Sequence, residues 1–224
     1  MLIIPNEVQA VDLITAWSAI CGFFGFEFSF DLVDELESLK LDASKSGTGA
    51  MSSLEGPILY GLVRMARPSM VLELGTYAGT SANYFCEGLL KNEIPASFLS
   101  LDKRDDDSFA CVFDHSRYEK LDYLDISFRR KINAVAFFVE NLNRSFDFIF
   151  EDLDHSTVTI EAVSTALSRL MPNGFLVSHD PYVVVKNYGD NVRLAFQKAG
   201  ILDEAFGVQI GKSSGFLIYH KPGA

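Results

Sequence analysis

The chain has 224 residues, 48% of them hydrophobic, with a formal charge of −11, a pI near 4.7 and a mean hydropathy of +0.15. That hydrophobic share excludes a disordered chain, and the length suits one α/β domain with a sizeable core, since such domains commonly run to roughly 200–250 residues. The acidic balance argues against nucleic acid as a partner, because affinity for a phosphate backbone rests on Lys and Arg neutralising it.

The first segment, from about Glu7 to Leu41, reads as mainly helical. Its apolar stretch from Ala16 to Phe30 is interrupted by Glu27, followed by Asp31, Asp34 and Glu35, and preceded by no basic region. Neither a signal peptide nor a membrane span is expected. Phe23, Phe24, Phe26, Phe28 and Phe30 read as a core-packing or dimer-forming face. Cys21, Cys86 and Cys111 have no metal-type spacing and leave one over in any pairing, which fits reduced thiols in the cytoplasm. The small polar run Ser44 to Gly49 is the best internal break.

After the break, Ser53 to Arg67 reads as a helix, with Ser52 or Ser53 as its cap and Pro68 as its stop. Then comes Val71-Leu72-Glu73-Leu74-Gly75-Thr76-Tyr77-Ala78-Gly79-Thr80-Ser81. An apolar run too short for a helix and ending in glycine predicts a strand, and Ala78 to Leu90 carries apolar residues at helical spacing. Gly75 and Gly79 let backbone amides approach a ligand, and the following helix N-terminus favours a carboxylate or phosphate. The spacing is G-x-x-x-G, not the G-x-G-x-x-G of dinucleotide folds.

Strand and helix then alternate. Strands are expected at Met70–Leu74, Ser97–Leu101, Asp125–Arg129, Phe146–Phe150 and Gly174–Ser178, which implies parallel pairing with right-handed crossovers. Phe206–Ile210 and Gly215–His220 flank Gly211 to Ser214 and read as a hairpin. Ligands in such sheets bind beyond the strand carboxyl ends. Asp102 closes the second strand, where an acceptor-only carboxylate can hold both hydroxyls of a ribose. Arg129-Arg130-Lys131 reads as a solvated strand edge. The fourth strand runs into Glu151-Asp152-Leu153-Asp154-His155-Ser156, a polar cluster that is costly unless solvated, paired or used. Tyr182 and Lys186 have the Y-x-x-x-K spacing of short-chain dehydrogenases, but a triple valine run after Pro181 does not demand a helix, and the glycine loop lies far from the N-terminus.

The glycine segment resembles motif I of the class I S-adenosylmethionine-dependent methyltransferases, and its Glu-Leu-Gly-x-Tyr-x-Gly-x-Ser form resembles the catechol O-methyltransferase-like, small-molecule branch. The later segments, with Pro172-Asn173-Gly174-Phe175 and Ser178-His179-Asp180, are similar to the Ile-Asp-Gly-Asp-His-Ser…Pro-Gly-Gly…His-Asp pattern of one methyltransferase subgroup. Here Glu151 replaces an apolar residue and Leu153 a glycine.

The resemblance implies a single Rossmann-like α/β domain, residues 49–224, with a mostly parallel seven-stranded sheet and a C-terminal antiparallel hairpin. Residues 1–48 would be a helical extension serving as acceptor lid or dimer contact. It implies S-adenosylmethionine as cofactor, held by Glu73, Gly75, Tyr77, Ala78, Gly79, Ser81, Asp102 and Asp152, with Tyr77 and Ser81 meeting the methionine carboxylate. Asp152, His179 and Asp180 align with the family's metal ligands for Mg²⁺ or another divalent cation. His155 falls where the metal-dependent branch has its general base, and an imidazole pKa of about 6.5 suits that task. The expected reaction is O-methylation of a small-molecule acceptor by a monomer or homodimer, with no membrane partner. Metal-independent O- or N-methylation and a cofactor-binding protein without catalysis are the alternatives.

Overall fold

The computed structural model describes residues 6–39, 51–118, 121–154, 156–183 and 188–223. The chain opens with strand β1 (Glu7–Ala10) and helices α1 (Leu13–Phe24) and α2 (Phe30–Ser38). The side chain of Asp12 accepts from the Thr15 amide to start α1, and Gly25, at φ 70°, ends it. Helix α3 (Gly56–Ala66) precedes β2 (Met70–Leu74), α4 (Thr80–Asn92), β3 (Ala96–Leu101), α5 (His115–Tyr118), β4 (Leu124–Arg129) and α6 (Ala134–Glu140). The chain continues through β5 (Phe146–Glu151), α7 (Thr157–Arg169), β6 (Leu170–His179), α8 (Tyr188–Lys198), β7 (Phe206–Ile210) and β8 (Phe216–His220).

The sheet order is β1-β7-β8-β6-β5-β2-β3-β4. β8 is antiparallel to both its neighbours, and every other pairing is parallel. The chain therefore winds outward from β2 to β4, returns to β5 beside β2, and winds outward the other way. The β2/β5 junction is the topological switch point, where the loops diverge and leave a crevice.

Period-2 alternation splits the core into two layers. Val71, Phe98, Phe148, Phe150 and Phe175 face α1, α3 and α4, with Trp17, Leu59 and Phe85 buried among them. Leu72, Ile149 and Leu176 face α6, α7 and α8, against Phe138, Val163 and Phe196. The amino-terminal aromatics divide between roles. Phe24 and Phe26 pack on Phe175 and His220, whereas Phe30 is 75% exposed.

Two expectations need correction. Glu7–Ala10 is a strand, not the start of a helix, so the described sheet has eight strands, not seven; it pairs in parallel with β7 from Glu7↔Gly207 to Ala10↔Ile210. A four-residue segment has too little local pattern to override a partner 200 positions away. Neither Ser52 nor Ser53 caps α3, whose N-cap is Glu55. The Ser52 amide and hydroxyl both donate to Glu55 Oε2, at 3.1 and 2.7 Å, which is the reach-back half of a capping box. Pro68 follows a helix that ends at Ala66, with Arg67 left-handed at φ 47°. Arg129 is the last residue of the edge strand β4, with Arg130 and Lys131 just beyond it, and all three are exposed. The polar break at 44–49 lies outside the described residues.

Candidate functional site

The carboxyl ends of β2, β3, β5 and β6 meet at a cavity of about 490 Å³. Gly75, Tyr77, Asp102, Asp152 and Asp180 line it, with Arg104 and Tyr188 among the other walls. Strand β2 delivers the chain into a tight loop in which Gly75, Tyr77 and Gly79 have φ of 100°, 44° and 86°. A Cβ on Gly75 would stand 2.0 Å from the Asp152 carbonyl oxygen, so only glycine fits where β2 and β5 diverge.

Glu73 and Ser81 lie behind this loop, not in the cavity wall. The Glu73 carboxyl is fully buried and accepts from the hydroxyls of Ser81 and Ser100, while Thr76 Oγ1 lies 2.5 Å from Ser100 Oγ. Ala78 and Gly79 anchor the loop from the other side. The Val112 amide donates to the Ala78 carbonyl at 3.0 Å, and the Gly79 amide to that of Thr76 at 2.8 Å.

Burial pushes the Glu73 carboxyl up to about 8, opposed by the two serine hydroxyls and reinforced by the charges of Asp152 and Asp102. Folded protein thus holds this proton between pH 4.5, the ordinary value, and about 8, whereas unfolded protein releases it. The stability contribution is full below 4.5 and is lost as the pH rises through about 8. We expect Glu73→Gln to gain on the wild type by about 1 kcal/mol per pH unit across that window. Urea unfolding at pH 5, 6.5 and 8 checks this; a wild type and variant that stay parallel would contradict it.

Asp102, 6% exposed, ends β3 and accepts from the amides of Tyr77 and Arg104, both at 2.8 Å. Each oxygen retains a lone pair for a further donor. The Arg104 guanidinium covers the Tyr77 ring at 4.5 Å. Across the cavity mouth Lys103 pairs with Asp154.

On the far side, His179 Nδ1 lies 3.1 Å from Asp152 Oδ1 and 3.3 Å from Asp180 Oδ1, and Nε2 lies 3.3 Å from Glu55 Oε1. The ring is 3% exposed, between Phe150 and Phe216. Burial opposes its charge, but the Asp152 and Glu55 carboxylates outweigh that and hold the imidazole well above its ordinary range. Burial raises Glu55 in turn, yet His179, Ser52 and the Gly215 amide hold it below the usual carboxylate range.

Asp152, His179 and Asp180 can each turn one donor atom inward, all within 4.8 Å of one another. The Nδ1 separations of 3.1 Å from Asp152 Oδ1 and 3.3 Å from Asp180 Oδ1 are close to the roughly 3 Å between neighbouring donors on an octahedral shell about 2.1 Å in radius. With one nitrogen and two carboxylates, the set suits a borderline ion better than a hard one.

The departure at Glu151 adds no charge to the cavity wall. This carboxylate, 0% exposed, accepts from the Ser178 hydroxyl, from Thr159 Oγ1 at 3.2 Å and from the Leu153 amide at 3.2 Å, bracing β6 and α7 to β5. The sequence-predicted base, His155, lies outside the described residues, as does Lys186 of the Y-x-x-x-K pair. Glu55 was missed, because a lone glutamate beside a serine at a helix start reads as a cap and nothing more.

Residues 72–181 match the family model of a methyltransferase domain. Solved structures share the fold. An O-methyltransferase from Bacillus cereus in complex with S-adenosylhomocysteine is 17% identical, with TM-score 0.60 over 92% of this chain and 98% of that one. A putative O-methyltransferase from Klebsiella pneumoniae is 18% identical, with TM-score 0.61 over 95% and 100%. A methyltransferase from Podospora anserina, bound to S-adenosylhomocysteine, is 19% identical, with TM-score 0.55 over 91% and 93%. No curated protein matches the sequence.

Proposed function

We propose that this chain, which carries a methyltransferase domain in the class I fold, transfers the methyl group of S-adenosylmethionine to an oxygen of a small molecule. The observation that carries this reading is convergence: the Gly75 loop, Asp102, Asp152 and Asp180 line one cavity at the switch point of the sheet, with buried His179 against both of the last two aspartates.

In this reading the loop from Gly75 to Gly79 receives the methionine end of the cofactor, and Asp102 accepts from the ribose hydroxyls. The Asp152 carboxylate lies where a sulfonium gains from a negative neighbour. The acceptor oxygen approaches the methyl carbon in line with the carbon–sulfur bond. As the O–CH₃ bond forms and the S–CH₃ bond breaks, the electron pair stays on sulfur and the hydroxyl proton passes to His155. A divalent ion held by Asp152, His179 and Asp180 would lower the pKa of the acceptor hydroxyl. Without one, the carboxyl groups of Glu55, Asp152 and Asp180 around His179 favour its charged form, and metal-independent transfer is the second reading.

The test is incubation with methyl-labelled S-adenosylmethionine and a panel of catechols, phenols and sugar hydroxyls, with and without added divalent ion. Label on an oxygen, with equivalent S-adenosylhomocysteine, is the expected product. Label on nitrogen in amine-bearing acceptors would overturn the assignment to oxygen. For the base, His155→Gln should lower kcat by about 100-fold or more while S-adenosylhomocysteine affinity stays unchanged. Retained turnover would remove His155 from that role.

A further inference from the structure

β3 and β5 are not neighbours in the sheet. β2 lies between them, so their carboxyl ends stand two strand spacings, roughly 9–10 Å, apart. The Gly75 loop leaves the sheet inside that gap, and side chains bridge it. Lys103 follows Asp102 just beyond β3, Asp154 lies three residues beyond β5, and both line the cavity. The Lys103 ammonium donates to Asp154 Oδ2. The two ends of this ion pair are unequally held. Asp154 Oδ1 accepts the Ser156 hydroxyl at 2.7 Å and the Ser156 amide at 3.3 Å, and Ser156 is itself the N-cap of α7. Oδ2 is thereby fixed, whereas the ammonium rides on a flexible four-carbon stem. A fixed acceptor and a movable donor make a latch with one moving part.

We propose that Lys103 and Asp154 form a strap across the cavity that closes over a ligand seated on the Gly75 loop and Asp102 and slows its release. This rests on the reading of the cavity as the S-adenosylmethionine site. A ligand beneath the pair displaces water from around it, and the attraction between the two charges rises as the local dielectric falls. The strap is therefore tighter over a filled cavity than over an empty one, and it acts on release more than on entry. Letting the ligand go requires the ammonium to leave Oδ2 and swing on its stem, while β3, β5 and the glycine loop stay in place. With side chains 65% and 44% exposed, the pair adds little to folding stability, and added salt weakens it.

The experiment measures association and dissociation rates of S-adenosylhomocysteine on the immobilised full chain by surface plasmon resonance. The proteins are the wild type, Lys103→Met, Asp154→Asn and the double variant. Methionine keeps most of the lysine stem without its charge, and asparagine keeps an oxygen for Ser156, so each change removes the ion pair and little else. Each single variant should release the ligand about 3–5-fold faster, with association within about twofold of the wild type. The double variant should release no faster than either single, because the second change removes a partner already lost. Raising NaCl from about 0.05 to about 0.5 M should speed release from the wild type towards the variants' rate and leave the variants' own rates unchanged. Wild-type release in all three variants, additive effects of the two changes, or salt acceleration that is the same in the double variant would overturn the strap, while the binding itself would leave the cofactor reading standing. Absence of S-adenosylhomocysteine binding to the wild type would remove that reading and the strap with it.

Discussion

Gly75→Ala is expected to abolish S-adenosylhomocysteine binding and to lower the thermal midpoint by about 5–10 °C. Two effects act together at this position. The backbone has φ of +100°, which costs an L residue about 1–3 kcal/mol. The added Cβ would also stand 2.0 Å from the Asp152 carbonyl oxygen and 2.7 Å from its carbon, both main-chain atoms that cannot swing aside. Relief requires β2 and β5 to part where the Asp152 amide donates to the Leu74 carbonyl at 2.8 Å, which also carries Asp152 away from His179. Gly22→Ala is the control. Gly22 lies inside α1 with nothing within 4 Å of an added Cβ, so alanine there should stabilise by about 0.5–1 kcal/mol and leave binding alone. Calorimetric titration and a thermal melt of both variants check the pair; a Gly75→Ala protein that binds like the wild type would contradict the assignment of the loop.

Asp102→Ala should weaken S-adenosylhomocysteine binding by about 100-fold or more. The carboxylate organises the cavity before any ligand arrives, because its two oxygens accept the Tyr77 and Arg104 amides at 2.8 Å. Removing it orphans both donors and, on the proposed reading, the acceptor for two ribose hydroxyls. Hydrogen bonds to a charged group contribute about 1.5–3 kcal/mol each, so losing even two accounts for that factor. Loss should appear as a weaker Kd for both S-adenosylmethionine and S-adenosylhomocysteine, which share the ribose. A Kd within threefold of the wild type for both would remove Asp102 from the cofactor site.

What the sequence made legible follows from the range of each signal. The strand–glycine–helix segment is local: an apolar run, two glycines at fixed spacing and a helical pattern lie within a few residues, and the backbone at Gly75 has the positive φ that spacing implies. Asp102 was readable because strand ends are marked by the change from apolar to charged residues. The direction in which Glu73 and Ser81 point was not, since it depends on Ser100 from the neighbouring strand. β1 escaped because its four residues gain their character from β7 at the far end of the chain. Glu55 escaped for a related reason, as its partner His179 arrives on β6 and the amide fixing it comes from Gly215. Contacts made by the sheet order, and not by neighbours along the chain, are those that periodicity and motif spacing leave unseen.

The central claim is that this cavity binds S-adenosylmethionine and its product, and isothermal titration of the folded wild-type chain with S-adenosylhomocysteine tests it most directly. The account predicts one molecule per chain with a Kd in the micromolar range. No detectable heat or competition at millimolar ligand, in protein shown to be folded by circular dichroism, would contradict it.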